Sequence, residues 1–186
     1  MSNERAPVTP PQGLRIAISG KSGCGNTTVS RLVAAQLGLR VVNYTFKDLA
    51  KDRGMTFEEI CLLAETDSQY DLTIDRMQVQ LAREGGCVLG SRLAIWLLRE
   101  TAFTVYLEAA LEVRAARISQ REGKELSVAM GETRERDRRD HDRYTRLYGY
   151  DVNDFGFAAL VADAGRTPDE IAREIVMRAL ESASSP

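Results

Sequence analysis

Two hydrophobic rhythms alternate along the chain and predict its architecture. Leu14–Ser19 (LRIAIS) is a short apolar run rich in β-branched side chains, the pattern of a buried strand. A glycine-dense stretch ends it. Thr27–Leu37 then places Val29, Leu32, Val33 and Leu37 at helical spacing, with Gly38 as the stop. Val41–Val42 reads as a second strand. Helical stretches follow over Phe46–Arg53 and Thr56–Glu65, the latter opened by a Thr56/Glu59 capping box, and a longer one runs over Tyr70–Glu84 to Gly85-Gly86. Cys87–Leu89 is a strand, Arg92–Glu100 a helix and Phe103–Leu107 a strand. Leu111–Glu122 and Leu126–Tyr148 are helical, Ala158–Ala162 is the last strand, and Pro168–Leu180 the last helix. Strands alternating with helices predict an α/β fold: a central parallel five-stranded sheet flanked by helices, with ligands at the carboxyl ends of the strands.

Composition narrows this picture. With 186 residues, one core and one domain are expected, over 13–183, after a disordered leader over 1–12 and ahead of a frayed tail at Ser182–Pro186. The 25 basic and 27 acidic residues nearly cancel, so no global field draws the chain to a nucleic acid polymer or an anionic membrane. Any anion site must be local. Cys24, Cys61 and Cys87 are widely spaced and His141 is the only histidine, which excludes a disulfide framework and a zinc site. MSNERAPVTPPQ has neither the apolar core of a signal peptide nor that of a membrane span, so a cytoplasmic location is expected.

Between the first strand and the first helix lies Gly20-Lys21-Ser22-Gly23-Cys24-Gly25-Asn26-Thr27-Thr28. Glycines there let backbone N–H groups wind around a phosphate while the helix N-terminus adds partial positive charge. Thr27 takes the Ser/Thr place of GxxxxGK[ST], whose hydroxyl binds magnesium. The lysine of that pattern is missing, since Asn26 precedes Thr27, and Lys21 is the cation able to reach the same phosphates from the other side of the loop. The alternative is a glycine-rich turn without a ligand; the strand-loop-helix setting favours phosphate. Cys24 then reads as a small loop residue rather than a redox switch.

A second signal is TRERDRRDHDRYTRLY, from Thr133 to Tyr148. Such a run is commonly a solvated face of weak ion pairs, and His141 reads as solvated within it. Arg136, Asp140 and Arg143, however, share one stripe at i, i+4 and i+7, where the carboxylate can hold both guanidiniums for an anion. Arg114, Arg117 and Arg121 form a second stripe on the preceding helix. Two stripes joined at Gly123-Lys124 suggest a lid, over about 121–148, that closes on phosphates.

With these pieces in place, the chain resembles the nucleoside monophosphate kinases, and among them the cytidylate kinases of the archaeal type and their bacterial relatives. Ala50–Met55 (AKDRGM) is similar to that family's AKERGM, Ile74-Asp75-Arg76 with Gln78 to IDRxQ, and Ser91–Ala94 with Trp96 to GRLAxW. Arg121–Lys124 matches REGK, the Arg136/Asp140/Arg143 stripe resembles ERDxRDxxR, and Tyr148–Asp151 resembles YGID. The resemblance implies a P-loop kinase fold with a helical lid and acceptor-binding helices. It implies ATP as phosphoryl donor with Mg2+, CMP and dCMP as acceptors, and a monomer whose partner is a small nucleotide. By the same resemblance Lys21, Arg121, Arg136, Asp140 and Arg143 are catalytic, and Lys47, Asp75, Arg76, Arg92, Arg136, Asp140 and Arg143 hold the acceptor. Three departures stand out. Val41–Asn43 replace a Ser-Gly turn, Lys47 replaces an arginine, and Gly90 replaces an acid. They keep two alternatives open: a different small-molecule acceptor, and a nucleotide-binding regulator with weakened catalysis.

Overall fold

The computed structural model describes residues 10–184. Residues 1–9 of the expected leader and 185–186 of the expected tail lie outside the described residues. Five strands, β1 (Arg15–Gly20), β2 (Arg40–Val42), β3 (Cys87–Gly90), β4 (Phe103–Glu108) and β5 (Leu160–Asp163), form one sheet in the order β2-β3-β1-β4-β5. Every pairing is parallel. The helices are α1 (Asn26–Leu37), α2 (Phe46–Arg53), α3 (Phe57–Thr66), α4 (Gln69–Arg83), α5 (Ala94–Leu97), α6 (Leu111–Glu122), α7 (Leu126–Tyr148) and α8 (Pro168–Ser184).

β1 is central and covered on both faces, so it carries an apolar run with no alternation, and Ile16, Ala17 and Ile18 are wholly buried. One layer packs Val29, Val33 and Leu37 of α1 with Ile171, Ile175 and Ala179 of α8 over Ile16 and Ile18. On the other side Ala17, Leu89 and Tyr106 meet Ile95 and Trp96, with Tyr144 and Tyr148 of α7 against them. Each such aliphatic side chain contributes about 1.5–3 kcal/mol on burial. Two satellite clusters hold the outlying helices. Leu49, Ala50, Ile60 and Ile74 hold α2 and α3 to α4, and Ala115, Ile118 and Ala129 hold α6 to α7.

Three elements depart from the periodicity. The predicted helix over Arg92–Glu100 shrinks to Ala94–Leu97. Its start is tied to β1, because Ser91 N donates to Ile18 O and Ser19 Oγ donates to Ser91 O, and residues 91–93 form a turn closed by Ala94 N on Ser91 O. The last strand begins at Leu160 rather than Ala158, because Ala158 N closes a turn onto Phe155 O. The last helix continues to Ser184, past the predicted Leu180 and into the expected tail, where Ser184 Oγ donates to Leu180 O. The Thr56/Glu59 capping box is formed at the start of α3.

Candidate active site

β1 and β3 end side by side, with Ile18 in register with Gly90, and the glycine loop crosses their carboxyl ends into α1. Gly23 turns at φ +88, and a β-carbon there would lie 2.8 Å from Arg114 O, so the loop can close onto α6 only with glycine. The first hydrogen bond into α1 from the loop is Val29 N to Gly25 O. The N–H groups of residues 26–28 therefore point out of the helix end, the arrangement that receives an anion.

A cleft of about 430 Å3 lies over this loop, lined also by Gly90, Ser91 and Arg92 from the end of β3 and by Arg117 and Arg121 from α6. Lys21, Arg92, Arg117 and Arg121 supply positive charge to it, and no carboxylate lines it among the described residues. Three buried oxygens around the loop have no hydrogen-bond partner: Asn26 Oδ1, Ser30 Oγ and Ser91 Oγ. Asn26 Nδ2 donates to Gly20 O at 3.2 Å, which fixes the orientation of its amide.

No residue of α7, the expected lid helix, lines that cleft, but from Arg136 onward the helix is tied to the loop, to Arg92 and to α4 by a ladder of contacts. Arg136 Nη1 donates to Ser22 Oγ of the loop at 3.2 Å. Asp140 pairs with Arg92, Arg143 pairs with Asp71 of α4, and Tyr148 OH donates to Asp75. The expectation that Asp140 holds Arg136 and Arg143 along its own helix is therefore corrected. That stripe faces the phosphate loop, the turn after β3 and α4, where Ser22, Arg92 and Asp71 are the partners it meets. Asp71 gave no signal of its own in the sequence; only its i, i+4 spacing from Asp75 marks a carboxylate row facing the lid.

The preceding arginine stripe also divides. Arg114 is 4% exposed and makes two bonds to Asp137, at 3.2 and 2.8 Å, while also donating to Ser22 O and Ala109 O, both at 3.1 Å. It is an internal strut binding loop, α6 and lid together, not a phosphate ligand. Arg117 donates to Ala164 O at 2.7 Å and lines the cleft, and Arg121 lines it with its guanidinium paired to Glu122.

Lys21 lines the cleft while donating to Asn153 Oδ1 at 2.8 Å. Asn153, on the segment after α7, carries no motif and went unread in the sequence. Ser22 through Thr28 stand together at the loop, Cys24 buried beneath it, where burial pushes its thiol pKa up and keeps it protonated. Burial also pulls down the pKa of Arg92, a guanidinium that starts far above neutrality. Asp75 and Arg76 both line a separate groove of about 730 Å3 between α4, Leu97 and Tyr148. Burial raises the Asp75 carboxyl above the usual range, only partly offset by the Tyr148 hydrogen bond. Lys47 stands apart from loop and groove, exposed, with its ammonium 5.7 Å from the Phe57 ring centre.

Comparison with known proteins matches this geometry. A sequence profile of the Cytidylate kinase-like family covers residues 15–164. The chain is 40% identical over 163 residues to "Cytidylate kinase 2" of Borreliella burgdorferi, spanning 85% of this chain and 91% of that one. It is 34% identical over 174 residues to "Cytidylate kinase" of Pyrococcus horikoshii, spanning 92% of this chain and 91% of the relative. Among solved structures, shikimate kinase from Acinetobacter baumannii superposes with a TM-score of 0.62 at 16% identity, over 96% of this chain and 97% of that one. That likeness concerns the P-loop kinase fold alone. Taken with the glycine loop and the lid ladder, the match over most of the chain establishes that this protein belongs to the cytidylate kinase-like family.

Proposed function

We infer that this chain is an ATP-dependent (d)CMP kinase. It transfers the γ-phosphoryl group of ATP to a phosphate oxygen of CMP, and of dCMP as second acceptor, giving CDP or dCDP and ADP. The acceptor oxygen attacks phosphorus in line as the bond to the β–γ bridging oxygen breaks, so positioning and charge neutralisation carry the catalysis.

The roles rest on placement together with the family likeness, Lys47 on the likeness alone. The loop N–H groups from Gly20 to Thr28 cradle the donor phosphates, and Lys21 supplies the cation that Asn26 does not. Arg121, Arg136 and Arg92 neutralise the transferring group, with Asp140 holding Arg92 in place. Arg143, Arg92 and Arg136 take the acceptor phosphate, and Lys47, Asp75 and Arg76 serve the acceptor end. The Thr27 hydroxyl and the unpartnered neutral oxygens beside it suit magnesium, a hard cation that keeps several waters and shares substrate phosphates. Magnesium held there would supply positive charge against the donor phosphates. The same reading takes residues 13–183 as one domain with its lid over about 121–148, acting as a monomer in the cytoplasm on small nucleotides.

The observation that carries this reading is the lid ladder: Arg136 on Ser22, Asp140 on Arg92 and Arg143 on Asp71 bring lid, phosphate loop and α4 to one place. A module that only binds nucleotide has no use for such charges converging beside the loop. Incubating the protein with ATP, magnesium and CMP and resolving the nucleotides tests it. CDP and ADP formed in equal amounts are expected; ADP without CDP overturns the reading.

A further inference from the structure

Of the buried side-chain oxygens without a partner among the described residues, three gather at one place, the junction of the phosphate loop, α1 and the end of β3. Buried polar atoms are ordinarily satisfied, so three orphans together point to something polar that belongs between them. They share a chemistry. Asn26 Oδ1, an amide oxygen, can only accept, and the bond from Nδ2 to Gly20 O fixes that it is the oxygen that stands there. Ser91 and Ser30 offer hydroxyl oxygens. Asn26 and Ser91 both line the cleft with Thr27. A ligand that suits acceptors is one that presents protons, and waters held by a divalent cation are strong donors because the metal polarises them.

The place also excludes an acid. Gly90 lies against α1, where a β-carbon would run into Ser30 Oγ and lie 2.9 Å from Ser30 Cβ. No Asp or Glu fits at the end of β3 while Ser30 stands behind it. Ser91, just past the end of this strand, lines the cleft and carries a hydroxyl oxygen. Its Oγ is turned inward with no hydrogen bond holding it, so a change of staggered rotamer toward the cleft breaks nothing.

We propose that Ser91 and Asn26 hold the metal-bound waters of the donor nucleotide through neutral oxygens, Ser91 being the residue that positions the cation from the β3 side. This rests on the kinase reading above, since it requires a magnesium nucleotide at the loop.

Calorimetric titration of ADP into the full chain, in EDTA and in excess magnesium, reads metal binding without turnover. Magnesium should tighten ADP binding by the parent. In Ser91→Ala that gain should fall roughly tenfold, the lower end of what outer-sphere partners supply, while affinity in EDTA stays unchanged. Ser91→Thr, which keeps the hydroxyl, should retain the gain. An equal magnesium gain in parent and Ser91→Ala overturns the proposal, as does lost affinity in EDTA, which would make Ser91 a support of the loop. If the parent binds ADP and makes CDP yet gains nothing from magnesium, this proposal fails and the kinase reading survives. If the parent does not bind ADP at all, both fail.

Discussion

The Lys21 ammonium donates to Asn153 Oδ1 at 2.8 Å across 132 positions of sequence, joining the phosphate loop to the segment that leaves the lid helix. Asn153 is held in turn, its backbone N–H donating to Asp151 at 2.8 Å and its amide nitrogen lying 3.3 Å from His141 Nδ1. The loop's own lysine thus takes its position from residues at the far end of α7.

Lys21→Ala should lower kcat/KM by roughly 10- to 150-fold, the span of a hydrogen bond to a charged group, whereas Asn26→Ala should cost much less. Asn153→Ala should lower activity in the parent but add nothing in the Lys21→Ala background, as a double-mutant cycle would show. Full activity of Lys21→Ala would remove its proposed role.

Arg136 and Arg143 should separate in kinetic and binding experiments, because one reaches the phosphate loop and the other α4. Arg143→Ala is expected to weaken monophosphate binding by about 1.5–3 kcal/mol with ATP affinity little changed. Arg136 serves both the transferring group and the acceptor phosphate, so Arg136→Ala should lower kcat in addition to weakening monophosphate binding. Titrations in which Arg143→Ala loses ATP instead would reverse the assignment of the two ends.

The strut and the cleft arginine on α6 should differ in stability. Arg114→Ala leaves Asp137 without its partner in a largely buried setting, and urea unfolding should show a loss of about 3–5 kcal/mol. Arg121→Ala, exposed at the cleft rim, should stay within about 0.5 kcal/mol of the parent. Similar losses in both would contradict the division of that stripe.

Asp75 carries a pH signature. Its folded carboxyl pKa lies above the unfolded value, so the folded state binds the proton more tightly and stability at this site falls as pH rises through that window. Asp75→Asn retains an oxygen for the Tyr148 hydroxyl and carries no charge to desolvate. It should be at least as stable as the parent at pH 7, with the difference shrinking as pH falls toward about 4. Denaturant midpoints across pH check this; a difference that grows on acidification would contradict it.

Much of this was legible before the structure, and the reasons differ by feature. The central strand, the glycine loop and α7 each carry a local pattern tied to one geometry, so Leu126–Tyr148 is helical over the very residues its periodicity marks. What a side chain does across the fold is not local. Arg114 and Arg121 sit on the same predicted stripe, yet one is enclosed by Ser22, Ala109 and Asp137 and the other faces the cleft. Spacing within α6 cannot reveal what stands opposite each. Gly90 read as a missing acid, and only its contact with Ser30 explains why no side chain fits. Asn153 and Asp71 acquire meaning solely from Lys21 and Arg143, which tertiary packing brings to them.

The most direct test of the account is kcat/KM for CMP, dCMP, UMP, AMP and GMP, each with saturating magnesium ATP. CMP should be the best acceptor, dCMP second, and the purine monophosphates poor. AMP or GMP turned over faster than CMP would contradict the cytidylate assignment.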